Sequence, residues 1–240
     1  MNKNIKAIVF DKDGTLLDFD SFWVPLARLA TERVLSACGA SQALCEPILE
    51  AIGVKNGITH VDGMLCKGDY EDLYYVYRDL IADAGTDVDG EDLKHYLVDA
   101  YHSALGEGRL VPTCDNLYGV LTELKRLGYG IGLITSDDRR GAELCLKGLG
   151  IYELFDEILC SDRSHPPKPD PYYMYEFCRR GGFEPSEVVM VGDSLADMLF
   201  GRNSGAYTVG VASSTENADF IRPYADTVIH DVSGIFQVLN

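Results

Sequence analysis

Ile5-Lys6-Ala7-Ile8-Val9-Phe10-Asp11-Lys12-Asp13-Gly14-Thr15 is a short apolar run that ends in two carboxylates one residue apart, with a glycine and a threonine directly after them. Ile8, Val9 and Phe10 are strand formers with no polar face, so the run reads as a buried parallel strand. The two acids then stand at its carboxyl end, the side of an open α/β sheet where ligands bind. Alternation along a strand sends Asp11 and Asp13 to the same side, and Gly14 lets the backbone turn sharply behind them. Two carboxylates held together repel unless a cation or a proton intervenes. That repulsion is the first indication of chemistry.

Past Leu16 and Leu17 the pattern changes, and from residue 18 to about residue 110 the chain carries helix signals and almost nothing strand-like. Four helices are expected there. The first covers residues 21–38 with Gly39 past its end, and the second is capped by Ser41 and stops near Gly53. The third runs between Asp69 and Gly85, and the fourth from Asp89 to about Gly106. Tyr70, Tyr74 and Tyr77 are spaced by four and three, so they share one face and are read as packing inside this helical unit. His95 and His102 lie two turns apart on the fourth helix. With no nearby cysteine or third histidine they are read as exposed, not as metal ligands.

From Val111-Pro112 onward helix and strand alternate. Strands are expected over residues 131–134, 157–160, 188–191, 207–211 and 227–230. Helices are expected from a cap at Asp115 to Gly128, over about 139–149, from Asp170-Pro171 with proline first, and after Gly192-Asp193-Ser194 one that carries Asp197 and reaches about Asn203. This alternation implies a parallel sheet covered on both faces, with right-handed crossovers. The expected fold is α/β: a Rossmann-like doubly wound parallel sheet built from residues 1–17 and 111–240, with residues 18–110 inserted after the first strand as an all-helical cap domain.

Composition narrows the function. A net charge of -17 over 240 residues argues against a broad nucleic-acid or anionic-membrane surface, so an anionic substrate must be met locally. Seven scattered cysteines, none in a Cys-x-x-Cys pair, fit reduced thiols better than a disulfide frame or a zinc site. No apolar run approaches a membrane span, and the first strand begins too early for a secretory signal. A cytoplasmic location is expected. Gly128-x-Gly130-x-Gly132 precedes its strand and is discounted as a dinucleotide fingerprint, and Ser194 in Gly-Asp-Ser is not a serine-hydrolase elbow.

Polar residues gather after the strands. Asp11 and Asp13 follow the first strand, Thr135 the second, Lys168 the loop after the third and Asp193 the fourth. In a parallel sheet these ends converge on one rim, and three acids, a hydroxyl and a lysine suit metal-assisted phosphoryl transfer. Asp11 is placed to attack phosphorus and form an aspartyl-phosphate. Asp13 would protonate the leaving alkoxide and then take a proton from water. Asp193, Asp11 and the backbone carbonyl of Asp13 offer hard oxygen ligands for Mg²⁺. Thr135 and Lys168 would hold the phosphoryl oxygens. Asp197 is less specific, because an aspartate near a helix start is common on an exposed face.

The motifs Asp11-Lys12-Asp13-Gly14-Thr15, Leu133-Ile134-Thr135-Ser136, Lys168-Pro169-Asp170-Pro171 and Gly192-Asp193-Ser194-Leu195-Ala196-Asp197 make the chain similar to the haloacid dehalogenase-like hydrolase superfamily. The resemblance covers the whole chain and is strongest to the phosphoglycolate phosphatase-like branch, which carries a helical cap after the first strand. It implies Asp11 as nucleophile, Asp13 as acid and base, and Gly14, Thr135, Ser136 and Lys168 around the phosphate. It further implies Mg²⁺ held by Asp11, Asp13 and Asp193, with Asp197 assisting. The second acid of the first motif separates the chain from the dehalogenases, which lack it, and from the ATP-driven pumps, which carry threonine there.

The expected activity is Mg²⁺-dependent hydrolysis of a small phosphate monoester, such as phosphoglycolate or a sugar phosphate. Selectivity is expected from the cap, including Lys55, Asn56, His60 and Lys67 in a loop from Gly53 to Gly68. A phosphomutase of the β-phosphoglucomutase type and a non-catalytic regulatory or binding protein are the alternatives. Pyrophosphate and nucleotides stay open as substrates.

Overall fold

The computed structural model describes residues 4–60, 63–161 and 164–239. Strand β1 (Ala7–Phe10) has all four side chains buried, as its uninterrupted apolar sequence requires. Strands β2 (Val54–Lys55) and β3 (Ile58–Thr59) come next. They are followed by β4 (Gly130–Thr135), β5 (Glu157–Cys160), β6 (Val188–Gly192), β7 (Tyr207–Val211) and β8 (Thr227–Ile229). Six of these form one sheet in the order β5-β4-β1-β6-β7-β8, and every neighbouring pair is parallel. The chain builds outward from β1 through β4 to β5, then crosses back to β6 and continues the other way. Strand order therefore reverses at β1, which is where an open α/β sheet has its ligand crevice. Phe10 is in register with Leu133 and Val191, so Asp11, Thr135 and Asp193 emerge at one rim.

The helices are α1 (Phe19–Ala37), α2 (Cys45–Ala51), α3 (Met64–Lys67), α4 (Tyr70–Asp83), α5 (Gly90–Ala104), α6 (Leu117–Arg126), α7 (Arg139–Gly148), α8 (Tyr172–Gly181), α9 (Leu195–Ser204), α10 (Thr215–Ile221) and α11 (Ile235–Leu239). Alternation splits β1 between two cores. Ile8 and Phe10 pack with Leu121 and Leu124 of α6, Leu146 of α7 and Ile235 of α11, while Ala7 and Val9 pack with Met174 and Phe177 of α8 and Phe200 of α9. Each such large apolar side chain contributes roughly 1.5–3 kcal/mol by leaving water. Covering both faces is the doubly wound arrangement expected from the sequence. Among the described residues no helix is long and apolar enough to cross a membrane.

The chain divides into two compact units, Met1–Asp18 with Leu110–Asn240, and Phe19–Arg109. In the second unit α1 packs against α5 and α2, and α4 against α5. Tyr74 and Tyr77 are buried there. Thr31 Oγ1 and Tyr77 Oη share a hydrogen bond of 2.6 Å, and Tyr77 Oη and Tyr101 Oη one of 3.4 Å. His95 is exposed and pairs with Asp99 at 3.1 Å, and His102 meets the Tyr70 ring edge to face.

Local boundaries differ from the sequence expectation where turn chemistry outweighs periodicity. The insertion is not wholly helical, because β2 and β3 form an antiparallel hairpin. Its turn is Asn56-Gly57, with φ of 54° and 77°, the left-handed pair that a tight two-residue hairpin needs. The expected loop from Gly53 to Gly68 is thus this hairpin plus α3, and residues 61–62 of it lie outside the described residues. Ser41 caps a short 3-10 turn, and α2 starts only at Cys45. Pro47 explains the delay, since proline is accommodated in the first turn and nowhere deeper. Asn116, not Asp115, caps α6 by accepting from Gly119 N–H at 3.3 Å. Pro171 is the cap of α8 instead of its first helical residue. The short helices α10 and α11 have little apolar periodicity and were not expected.

Candidate active site

Asp11 is fixed as the chain leaves β1, its N–H donating to Val191 O at 2.9 Å. The chain then folds back on itself, with Gly14 N–H donating to Leu17 O at 2.7 Å and Leu16 N–H to Lys12 O at 2.8 Å. Gly14 has φ +72°, and a Cβ there would stand 2.1 Å from Asp193 Oδ2, so both the turn and the close approach demand glycine. Thr15 Oγ1 donates to Asp193 Oδ1 at 3.2 Å. Behind Asp193, Ser194 caps α9 in a reciprocal box with Asp197. Asp197 Oδ2 accepts from Ser194 Oγ at 2.6 Å and from Ser194 N–H at 3.1 Å. Asp197 is only 1% exposed, so it does not belong to an outer helix face.

Lys168 closes the group. Its Nζ donates to Asp11 Oδ1 and to Asp197 Oδ1, both at 2.6 Å, and to Ile134 O at 3.3 Å. Carboxylate oxygens of Asp11, Asp193 and Asp197 lie within 4.8 Å of one another. Fully ionised, three carboxylates against one ammonium would carry an excess of two negative charges in a largely buried site. The electrostatic consequence is large. Burial, with Asp197 and Asp13 adding to it against the pull of Lys168, pushes Asp11 up to about 7. Burial, Asp197 and Asp11 together push Asp193 well above the carboxylate range. Burial opposes the charge on Lys168, but Asp11 and Asp197 outweigh it and hold the ammonium above the ordinary lysine range. Clustered carboxylates with surplus charge fit a hard divalent cation such as Mg²⁺, which would take the place of the protons these acids otherwise retain.

The other predicted residues stand nearby with different partners. Asp13 is on the same loop, but its carboxylate is not in the acid group; its Oδ1 accepts from Lys12 Nζ at 2.7 Å. Thr135 ends β4 buried, with its Oγ1 accepting from Asp137 N–H at 3.2 Å. Ser136 follows it and is exposed. Sequence reasoning passed over Lys12 and Asp137. Lys12 is fully buried, and Asp137 Oδ2 stands 2.9 Å from its Nζ in an ion pair. The sequence carries no signal of this burial, since Lys12 is flanked by Asp11 and Asp13.

A family model described as haloacid dehalogenase-like hydrolase matches residues 5–205. The chain is 28% identical over 240 residues to the pyrophosphatase PpaX of Bacillus velezensis, covering 99% of this chain and 97% of that one. It is 28% identical over 224 residues to a phosphoglycolate phosphatase of Psychrobacter arcticus, covering 93% and 90%. The crystal structure of a predicted phosphoglycolate phosphatase from Haemophilus somnus superposes with a TM-score of 0.74 at 23% identity, covering 100% of both chains, and so shares the fold. With the four motifs gathered at the switch point of the sheet, the chain belongs to the haloacid dehalogenase-like hydrolases, and is an enzyme of that family.

Proposed function

We propose that the chain is a Mg²⁺-dependent phosphatase that hydrolyses a small phosphate monoester through an aspartyl-phosphate on Asp11. The observation that carries this reading is the crowding of three carboxylates around the single ammonium of Lys168 at the sheet rim. Folding such a group has a cost, and a divalent cation together with a phosphoryl group would relieve it. Asp11, Asp193 and Asp197 would hold the cation with the backbone carbonyl of Asp13, and the cation would supply charge neutralisation at the phosphoryl oxygens.

The residues of the chain divide the work. Asp11 attacks phosphorus, and Lys168 stays charged and orients both Asp11 and the phosphoryl oxygens. Asp13 gives a proton to the leaving oxygen in the first half of the reaction and takes one from water in the second. Gly14, Thr135 and Ser136 line the phosphate side. The names of the relatives support phosphate chemistry and differ in substrate, so phosphoglycolate, a sugar phosphate and pyrophosphate are the compounds to compare first.

The helical unit is assigned the selection of the organic part of the ester. Lys55, Asn56, His60 and Lys67 are exposed in it, and Thr59 anchors the hairpin to Asp20 at 2.6 Å. The test is phosphate release from a panel of phosphoglycolate, sugar phosphates, nucleotides and pyrophosphate, with and without Mg²⁺, by the native chain and by Asp11→Asn. Release that needs Mg²⁺ and disappears in the variant supports the reading. Absence of release from every compound refutes it.

A further inference from the structure

Lys12 is a side chain the reaction scheme leaves without a task. It lies between the two acids of the first motif and has no exposed surface. Lysine is almost never fully buried unless paired, because taking an ammonium out of water costs several kcal/mol. Here its Nζ donates to Asp13 Oδ1 at 2.7 Å, stands 2.9 Å from Asp137 Oδ2 and lies 3.8 Å from the Sγ of buried Cys145. Two elements therefore hold one cation: the loop after β1 supplies Asp13, and the loop after β4 supplies Asp137. Burial opposes the charge on Lys12, but Asp13 and Asp137 outweigh it and keep the ammonium charged.

We infer that Lys12 is a positioning residue for Asp13, fixing its carboxylate by Oδ1, with Asp137 as the strut that holds Nζ in place, so that proton transfer falls to Asp13 Oδ2. This rests on the phosphatase reading above. In the first half, Asp11 bonds to phosphorus while the bond from phosphorus to the ester oxygen breaks. The departing electron pair is met by the proton from Asp13 Oδ2. In the second half, water oxygen bonds to phosphorus, its proton passes to Asp13 Oδ2, and the bond between Asp11 and phosphorus breaks to restore both carboxyl groups. Lys12 exchanges no proton in either half. An acid held in one orientation is ready for transfer in both, whereas a carboxylate free to rotate loses part of that advantage.

Two esters that differ in their need for an acid test this. An alkoxide leaves poorly without a proton, whereas p-nitrophenolate leaves as the anion. The variants are Lys12→Met and the double variant Lys12→Met/Asp137→Leu, which removes the Lys12–Asp137 pair together so that Asp137 is not left buried without its cation, with Asp13→Asn as the reference. Folding is checked by circular dichroism melting. For a folded variant, kcat/KM on the best alkyl phosphate is expected to fall ~10–100-fold, within the range of general acid catalysis, and on p-nitrophenyl phosphate by less than about threefold. Asp13→Asn should show the same asymmetry, enlarged. Equal losses on both esters would mean that Lys12 acts only on the structure, and unchanged alkyl turnover would mean that it does nothing for Asp13; either overturns the inference. If Asp13→Asn shows the asymmetry and the Lys12 variants do not, this inference fails and the phosphatase reading stands. If the native chain turns over neither ester, both fail.

Discussion

At the sheet rim Asp11, Asp193 and Asp197 crowd around Lys168 with two negative charges in excess when fully ionised, whereas in the helical unit Thr31, Tyr77 and Tyr101 join hydroxyl to hydroxyl with no formal charge. Both clusters are buried and polar, and both draw side chains from separate elements. The hydroxyl cluster is complete in itself. Thr31 Oγ1 also donates to Ala27 O at 2.7 Å, and burial pushes Tyr77 up to about 12, so it stays neutral. Folding energetics account for it fully, since buried polar atoms need partners and these have them. The rim cluster is what folding leaves unfinished. Its acids repel, its lysine neutralises one of three, and Thr15 Oγ1 holds Asp193 in the crowd by donating to its Oδ1. Burial and polarity do not distinguish the two clusters; crowded like charge does.

The largest expected effect separates the two clusters by activity. Asp11→Asn should lower phosphate release on the order of 10³-fold or more, as loss of a nucleophile does, while Tyr77→Phe should leave it within about twofold. A comparable loss in both would break the distinction.

A second effect concerns protons. Asp11 sits at about 7 in the folded chain against a carboxylate value of 3.8. The metal-free folded state therefore keeps a proton that the unfolded state has lost. Stability without metal should fall as pH rises from about 4 to about 7, seen in melting curves taken with a chelator. A cation must displace that proton, so the rise in melting temperature on adding Mg²⁺ should be larger at pH 8 than at pH 5. A rise independent of pH would place the cation elsewhere.

Smaller still is the expected effect in the hairpin unit. Replacing Lys55, Asn56, His60 and Lys67 together by alanine should change the ratio of kcat/KM between two esters of the panel by about tenfold, equivalent to roughly 1.4 kcal/mol. It should leave the Mg²⁺ requirement intact. An unchanged substrate profile would remove these residues from selection. The smallest effect belongs to the hydroxyl cluster. Tyr77→Phe should cost about 1 kcal/mol of stability, the net worth of a typical hydrogen bond, measured by denaturant unfolding.

Much of this arrangement is legible in the sequence because strand ends are. The runs around Ile8, Leu133 and Val189 are apolar without alternation, so their ends and the polar residues placed there are unambiguous. The reversal of strand order at β1 follows from the topology of such folds and not from any one residue. Asp197 was read as ambiguous between site and surface. Its burial depends on the capping box with Ser194, which turns the side chain inward. The pairing of Lys12 with Asp13 and Asp137 is invisible to motif spacing, because Asp137 reaches it from the loop after a different strand. Asn56-Gly57 is a hairpin turn signal in the sequence, but its flanking two-residue strands are too short to show a period of two. Caps such as Asn116 and the short helices near the carboxyl end depend on single hydrogen bonds, which periodicity does not report.

The central claim is that the surplus charge at the rim is a cation site, and it is tested most directly by titrating Mg²⁺ into chelator-treated protein at pH 8 while following thermal melting. The native chain should gain stability, by about 2.7 kcal/mol at a hundredfold excess over the dissociation constant. Asp193→Asn, relieved of one repelling charge, should be more stable than the native chain without metal and should gain little from it. A native chain indifferent to Mg²⁺, or an Asp193→Asn variant that responds to it as the native chain does, would contradict the account.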